Sequence, residues 1–107
     1  MTSFLWATPA ACDEPHRPTR PEQVDALQQS FDADGWNTSL PALVGYRLTK
    51  SVGGRIQLLS GSHRHAAASL AQIAVPIVVW PRDAVDEAWG DLDKWKEIMR
   101  SGGDDQT

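Results

Sequence analysis

Residues 58–68 run Leu58-Leu59-Ser60-Gly61-Ser62-His63-Arg64-His65-Ala66-Ala67-Ala68, a β-prone segment that passes through one glycine into an alanine-rich one. Gly61 allows a sharp turn and a close approach of the backbone to a ligand. Ser62 is a typical N-cap residue. We therefore predict a strand that ends at Ser60-Gly61, followed by a helix from His63 to Ala74 with Ser62 as its cap.

This junction predicts an anion site. The first turn of a helix leaves backbone N–H groups unpaired, and the helix dipole adds partial positive charge there. Arg64 presents a planar fork of donors suited to phosphate, and His63 and His65 can donate further hydrogen bonds. The alternative is a solvated polar turn with a capping serine, which the spacing leaves open.

Two other chemistries are disfavoured at the same place. A zinc site is disfavoured, because His63 and His65 lie on different helical faces and residues 35–82 contain neither a carboxylate nor a thiol. We therefore predict no metal site. A serine-hydrolase turn would need a glycine two residues after Ser62, and Arg64 stands there.

Elements on the N-terminal side of the junction follow from periodicity. Thr19-Arg20-Pro21-Glu22 has the spacing of a capping box, and apolar residues recur on one face as far as Phe31, which predicts a helix from Pro21 to Ala33. Leu40 to Tyr46 alternates like a strand, Gly53-Gly54 is a turn, and Arg55 to Leu59 returns as a second strand. Phe4-Leu5-Trp6 is a candidate further strand.

On the C-terminal side, Val75 to Val79 is the most β-prone stretch. Asp83 is predicted to cap one last helix, along which apolar residues recur every three to four positions as far as Met99. The order of elements predicts an α/β (α+β) layer fold with a small mixed sheet of about four strands and three helices. We expect a single domain over residues 1–101 and a disordered tail over residues 102–107.

Charge is distributed unevenly along the 107 residues, which carry a net charge of −4. Residues 35–82 contain no acidic residue and five basic ones: Arg47, Lys50, Arg55, Arg64 and Arg82. Both flanks are acidic. This pattern indicates a basic centre, although chance together with solvated helices would produce it too.

Compartment and assembly can also be predicted. No apolar run reaches the roughly 18 residues that cross a membrane, and no basic residue precedes Arg17 as an export signal would require. Cys12 is the only cysteine, so a reducing cytoplasm is expected. Five tryptophans are many for this length; we predict that they pack in one monomeric core rather than form an exposed patch that would make a dimer.

The sequence resembles the ParB/sulfiredoxin superfamily at Gly61-Ser62-His63-Arg64, the alanine-rich helix and Val75-Pro76-Ile77-Val78-Val79. The upstream helix from Arg20 and the strand Leu40-Pro41-Ala42-Leu43-Val44 are similar to the start of the family's domain, so that the resemblance covers about residues 17–79. It implies a bound nucleoside triphosphate, ATP or CTP, together with Mg²⁺. The phosphates are then held by Gly61, Ser62, His63 and Arg64, with Arg20 or Arg17 as a second arm and a weaker role for His65.

Departures from the family restrict the activity that the resemblance implies. Ser62 stands where sulfiredoxins have their catalytic cysteine, so sulfinic-acid reduction is not expected. Chromosome-partitioning ParB proteins have a second arginine in the box, where His63 stands here, and follow the domain with a helix-turn-helix and a dimerisation tail; site-specific centromere binding and clamp formation are therefore not expected. The free-serine kinases of the superfamily use an acidic base near the leading segment, and Glu14 and Glu22 are the candidates for it.

Two functions follow. The first is NTP hydrolysis or phosphoryl transfer, in which the helix N-terminus, Arg64, His63 and Mg²⁺ neutralise charge. The carboxylate ligand or base would then come from Asp13, Glu14, Glu22 or the acidic last helix, for example Asp83, Asp86 or Glu87. The second is a non-catalytic regulatory module that binds a protein partner, a second copy of itself or DNA, with Arg47, Lys50 and Arg55 as a basic hairpin. A small domain of this kind suits a phage or mobile-element gene.

Overall fold

A five-stranded mixed sheet organises the computed structural model, which describes residues 2–15, 18–48 and 54–102. Its strands are β1 (Ser3–Ala7), β2 (Cys12–Asp13), β3 (Leu43–Arg47), β4 (Ile56–Leu58) and β5 (Val75–Trp80), in the spatial order β1-β5-β3-β4-β2. The central pair β3 and β5 is parallel. β1 is antiparallel to β5, β4 is antiparallel to β3, and β2 is parallel to β4.

Helices cover both faces of this sheet. They are α1 (Pro21–Asp34), α2 (Ser62–Ala71), α3 (Arg82–Ala88) and α4 (Leu92–Arg100), and a 3₁₀ turn at Pro9–Ala11 joins β1 to β2. Successive strand residues point to opposite faces. Leu43 accordingly packs with α1 and α2 in one buried cluster, whereas Val44 packs with Val85 of α3 and Ile98 of α4 in a second.

The predicted α/β (α+β) class is confirmed, and the predicted α1, β5 and β1 are present within one or two residues of their expected ends. The sheet has five strands instead of about four, because the two-residue β2 adds an edge strand beside β4. No helix among the described residues is long and apolar enough to cross a membrane.

The prediction of one last helix is wrong, because α3 and α4 are separate. Gly90 between them has a left-handed backbone with φ of 88°, which interrupts the helical path. Asp91 then caps α4, and its side chain accepts a hydrogen bond from the Lys94 N–H at 3.2 Å. Asp83, the predicted cap, lies inside the first turn of α3, and Pro81 takes the N-cap position.

The other predicted helix ends need correction as well. Gly61 and not Ser62 is the N-cap of α2, and Arg20 and not Thr19 is the N-cap of α1; neither makes a side-chain capping bond. α2 ends at Ala71, three residues early, because Gln72 adopts a left-handed conformation with φ of 60°.

Sheet pairing in β3 begins later than predicted. The strand starts at Leu43, and the preceding Ala42 N–H donates to the Gly102 carbonyl oxygen at 2.7 Å. Gly102 therefore contacts the folded body, although we placed it in the tail; residues 103–107 lie outside the described part of the chain. The predicted turn at Gly53-Gly54 includes Gly53, which also lies outside it.

The tryptophans do not all pack in one core. Trp36 stacks on Phe31 with ring centroids 5.2 Å apart, and Trp80 and Trp95 pack against the second cluster. Trp6 is 53% exposed and Trp89 is 80% exposed. The prediction of common burial is wrong for these two, because one lies on the edge strand β1 and the other at the break between α3 and α4.

Candidate anion-binding site

The turn between β4 and α2 packs against β3 and is hydrogen-bonded to it. Gly61 has φ of 85° and ψ of 33°, and a Cβ atom at this position would lie 2.6 Å from Cγ of the buried Leu43. Ser60 Oγ accepts a hydrogen bond from the Val44 N–H at 3.1 Å, and the Leu59 N–H donates to the Val44 carbonyl at 2.7 Å. Glycine is therefore required at position 61 by both conformation and space.

The first turn of α2 presents backbone donors at this junction. The first helical bond runs from the His65 N–H to the Gly61 carbonyl oxygen at 2.7 Å. The N–H groups of Ser62, His63 and Arg64 come before that ladder and have no acceptor within it. They carry the partial positive charge of the helix N-terminus.

A cleft of about 570 Å³ opens at this turn, within the range of roughly 300–1,000 Å³ common for small-molecule sites. One wall comes from the start of α2 and the other from α4. Its lining residues are Pro18, Ala42, Ser60, Gly61, Ser62, His63, Arg64, Lys96, Met99 and Arg100.

The lining is cationic. Arg64 stands on the α2 wall, Lys96 and Arg100 stand one turn apart on the α4 wall, and no carboxylate is among the described residues that line the cleft. Such a surface attracts an anion with several oxygens. The same donor set does not fit a protein-bound Mg²⁺, which prefers carboxylate oxygens. Across the described ranges no group of three or more His, Cys, Asp or Glu residues could hold a metal ion.

His63 links the cleft to the segment in front of α1. Its Nε2 accepts a hydrogen bond from the Arg20 N–H at 3.0 Å. A nitrogen that accepts carries no hydrogen, so in this arrangement the ring proton lies on Nδ1, which can donate. Arg64 is held in a different way, because its Nη1 donates to the Pro41 carbonyl oxygen at the entry to β3.

The structure brings together four of the predicted phosphate-binding residues: Gly61, Ser62, His63 and Arg64 line the cleft. Arg20 is not part of the lining, but its backbone N–H donates a hydrogen bond to the lining residue His63. Arg17 lies outside the described residues.

His65 is placed elsewhere, so its predicted binding role is corrected. The side chain is 5% exposed, and its Nε2 lies 3.0 Å from the Pro9 carbonyl oxygen, on the side of the 3₁₀ turn. The ring contributes to packing between α2 and that turn, and does not line the cleft.

The carboxylates predicted as base or metal ligands are also absent from the lining. Glu14 follows β2, where its carbonyl oxygen accepts a hydrogen bond from Gln57 Nε2 at 2.9 Å, and Glu22 lies exposed in the first turn of α1. Asp83, Asp86 and Glu87 belong to α3, which contributes no residue to the cleft.

Sequence reasoning missed the α4 wall, formed by Lys96, Met99 and Arg100. We treated the C-terminal part as acidic because its net charge is negative, and net charge says nothing about which face is basic. The available signal was the spacing of Lys96 and Arg100, which places two cations on one face four residues apart.

Cys12, the one cysteine of the sequence, lies in the core and not in the cleft, so it does not replace the cysteine that sulfiredoxins have at the position of Ser62. It is 4% exposed, and burial raises the pKa of its thiol more than the nearby Arg55 lowers it. A protonated, buried thiol is a poor nucleophile.

The architecture is the ParB/sulfiredoxin-like fold, which confirms the resemblance predicted from the sequence. The C-terminally truncated chromosome-partitioning protein ParB from Caulobacter crescentus, complexed with CTP-γ-S, is similar with a TM-score of 0.60 and 23% identity, over 92% of this chain and 51% of the ParB chain. Sulfiredoxin from Arabidopsis thaliana is similar with a TM-score of 0.57 and 16% identity, over 81% and 97% respectively.

This chain spans about half the length of the ParB chain, and identities this low show a shared fold only. No family model matches the sequence, and no curated protein does.

Proposed function

We propose that this protein binds a nucleoside triphosphate in the cleft, with the phosphates at the N-terminus of α2. The observation that carries the proposal is the lining: three cationic side chains and one histidine on two facing walls, with no carboxylate among the described lining residues. The structural similarity to a ParB protein complexed with CTP-γ-S supports a nucleotide over a simple anion.

Each wall has its own part in the proposed complex. On the α2 wall, the backbone N–H groups of Ser62 and His63 and the Nδ1–H of His63 donate to phosphate oxygens, and the guanidinium of Arg64 adds charge-assisted bonds. On the α4 wall, Lys96 and Arg100 neutralise the opposite side of the phosphate chain. A triphosphate carries charge along its whole length, so cations on both walls favour it over a single phosphate.

The proposal concerns binding and does not extend to turnover. Phosphoryl transfer needs a group that orients the nucleophile and usually a metal held by carboxylates. The described lining holds no carboxylate, so the catalytic roles of Glu14, Glu22 and His63 stay predictions. The choice between ATP and CTP, and the effect of Mg²⁺, are decided by experiment.

The described contacts do not favour DNA binding by the basic hairpin. Arg47 Nη1 donates to the Gly54 carbonyl oxygen at 3.1 Å, and Arg55 forms an ion pair with Asp13 at 2.8 Å, which raises the pKa of Arg55. Lys50 lies outside the described residues. Binding of DNA or of a protein partner, and the cytoplasmic location, therefore stay predictions.

Thermal unfolding with ATP, CTP, GTP, UTP and inorganic tripolyphosphate, each with and without Mg²⁺, tests the proposal. A ligand at 100 times its dissociation constant adds about 2.7 kcal/mol, and each kcal/mol raises the Tm of a domain of this size by roughly 4–8 °C. We expect a rise of about 10 °C or more with one nucleotide. No rise with any of the four nucleotides would refute the proposal.

Two exposed lysines of α4 supply a matched control for the site. Lys96 lines the cleft and Lys94 does not, yet each substitution by alanine removes one charge from the same helix. Lys96→Ala and Arg100→Ala should each weaken nucleotide binding about two- to fivefold, since an exposed charge contact contributes roughly 0.5–1 kcal/mol. Lys94→Ala should leave the dissociation constant within error. Equal losses in Lys94→Ala and Lys96→Ala would show general electrostatic attraction instead of a site.

A further inference from the structure

The two outer strands end the sheet in different ways. At the β2 edge, side chains from the β4 side occupy the backbone acceptors: Arg55 donates to the carbonyl oxygens of Ala10 and Cys12 at 3.1 and 3.2 Å, and Gln57 Nε2 donates to that of Glu14 at 2.9 Å. The strand itself is only two residues long. Short strands and charged side chains protect a sheet edge from pairing with another chain.

Among the described residues, the β1 edge has none of these protections. β1 is five residues long, its sequence Ser-Phe-Leu-Trp-Ala contains neither charge nor proline, and it is outermost in the strand order. Alternate N–H and C=O groups of an outermost strand point away from the sheet. Phe4 and Trp6 stand on one face of this strand, 61% and 53% exposed.

We propose that β1 pairs with β1 of a second copy, antiparallel across a two-fold axis, and joins two sheets into one of ten strands. A two-fold axis at Leu5 places Ser3 opposite Ala7 and Phe4 opposite Trp6 of the second copy. Both strands then pair along their whole length. The two Phe4–Trp6 pairs bring exposed aromatic rings together, which is a favourable cross-strand contact.

Charge favours a second copy as the occupant of this edge. The protein has a net charge of −4, so two copies repel each other on average. β1 and its neighbour β5 together contain no charged residue, so the copies meet at β1 without like charges in contact. A two-fold arrangement of the same strand also closes the assembly at two subunits.

Sedimentation equilibrium over roughly 1–500 µM protein tests the proposal, because a single strand pair buries less than the roughly 800 Å² per partner of a stable complex and should form a weak dimer. We expect the apparent mass to rise from 11.7 kDa towards twice that value. Phe4→Lys and Trp6→Lys should each reduce association about tenfold or more, because each dimer gains two charges at its edge.

Trp89→Lys is the matched control, since Trp89 is also an exposed aromatic but lies at the break between α3 and α4. It should leave association unchanged. A monomer throughout the concentration range, or a dimer lost in Trp89→Lys and kept in the two β1 variants, would overturn the proposal.

Disulfide trapping tests the register without adding charge to the strand. Directly opposed residues of antiparallel strands have Cα atoms about 4.5–5.5 Å apart, within the range that a disulfide spans. A mixture of Phe4→Cys and Trp6→Cys proteins should therefore form the mixed disulfide at least several-fold faster than either protein links to itself. Equal rates of formation of the mixed disulfide and of the two self-linked products would overturn the register.

Discussion

The two walls of the cleft differ in how firmly the fold holds them. On the α2 wall, Gly61 is packed against Leu43, Arg64 donates to the Pro41 carbonyl, and His63 accepts from the Arg20 N–H. On the α4 wall, Lys96 and Arg100 are exposed to solvent. A residue on the first wall therefore serves both folding and the proposed binding, whereas a residue on the second can be removed with little effect on stability.

This difference decides how variants should be interpreted. A loss of nucleotide binding after a substitution on the α2 wall can follow from unfolding, so stability has to be measured beside affinity. The α4 wall separates the two effects. Substitutions on the packed α2 wall should therefore have larger effects than substitutions on the exposed α4 wall.

Gly61→Ala should lower the free energy of unfolding by about 2–5 kcal/mol. The left-handed backbone costs a residue with a Cβ about 1–2 kcal/mol, and overpacking against buried Leu43 adds roughly 1–3 kcal/mol. Gly90→Ala is the control, because Gly90 has nearly the same φ, 88°, but open space where its Cβ would lie. Urea unfolding of both variants should show the greater loss at Gly61. Equal losses would mean that the contact with Leu43 contributes nothing.

Arg64→Ala should weaken nucleotide binding about 10- to 100-fold, since a hydrogen bond to a charged group contributes roughly 1.5–3 kcal/mol. It should also lower stability by about 1 kcal/mol, because the bond to the Pro41 carbonyl is lost. Arg64→Lys keeps the charge without the planar fork, so it should recover only part of the affinity. Titration calorimetry and urea unfolding separate the two losses. Unchanged nucleotide affinity in Arg64→Ala would show that the guanidinium does not contribute to the proposed site.

Asp91→Ala should destabilise the protein by about 1 kcal/mol, because it removes the N-cap of the helix that carries the α4 wall. Asp93→Ala removes the same charge from the first turn of α4 without removing a cap, and should cost less. Thermal unfolding of the two variants measures the difference. A larger effect at Asp93 would contradict the capping role of Asp91.

Salt should change the contribution of the α4 wall by a few tenths of a kcal/mol, the smallest effect in the series. Exposed charges are screened more effectively than partly buried ones. The loss of affinity caused by Lys96→Ala should therefore shrink between 50 and 500 mM NaCl, whereas the loss caused by Arg64→Ala should persist. Titrations at both salt concentrations provide the check. If the loss of affinity in Lys96→Ala did not depend on salt, the contact between Lys96 and the nucleotide would be as well shielded from solvent ions as that of Arg64.

The sequence predicted the α2 wall because its parts are adjacent in the chain. Leu58 to Ala68 contains the strand end, the glycine and the basic first turn of the helix. The α4 wall could not be found in the same way. Gly90 divides the predicted last helix into two. Which face of α4 lines the cleft depends on the burial of Ile98 in the same cluster as Val44, and the sequence does not show that contact.

The sequence also could not show that His65 faces away from the cleft, although it belongs to the same motif. Three successive polar residues of one turn cannot all face one ligand, because neighbouring positions on a helix are about 100° apart. His63 and Arg64 line the cleft, and His65 is turned towards Pro9. The sequence contained no indication of which residue would face the core, since histidine fits both places.

The class of fold, the strand-glycine-helix junction and the cations of the first helical turn follow from the sequence, because they depend on local conformation and on the alternation of apolar residues. Tertiary packing was needed to show that Lys96 and Arg100 line the cleft, that Glu14 and Glu22 do not, and that β1 is an outer strand without protection among the described residues. Those facts depend on contacts between segments distant in the chain, and packing of the two buried clusters brings those segments together.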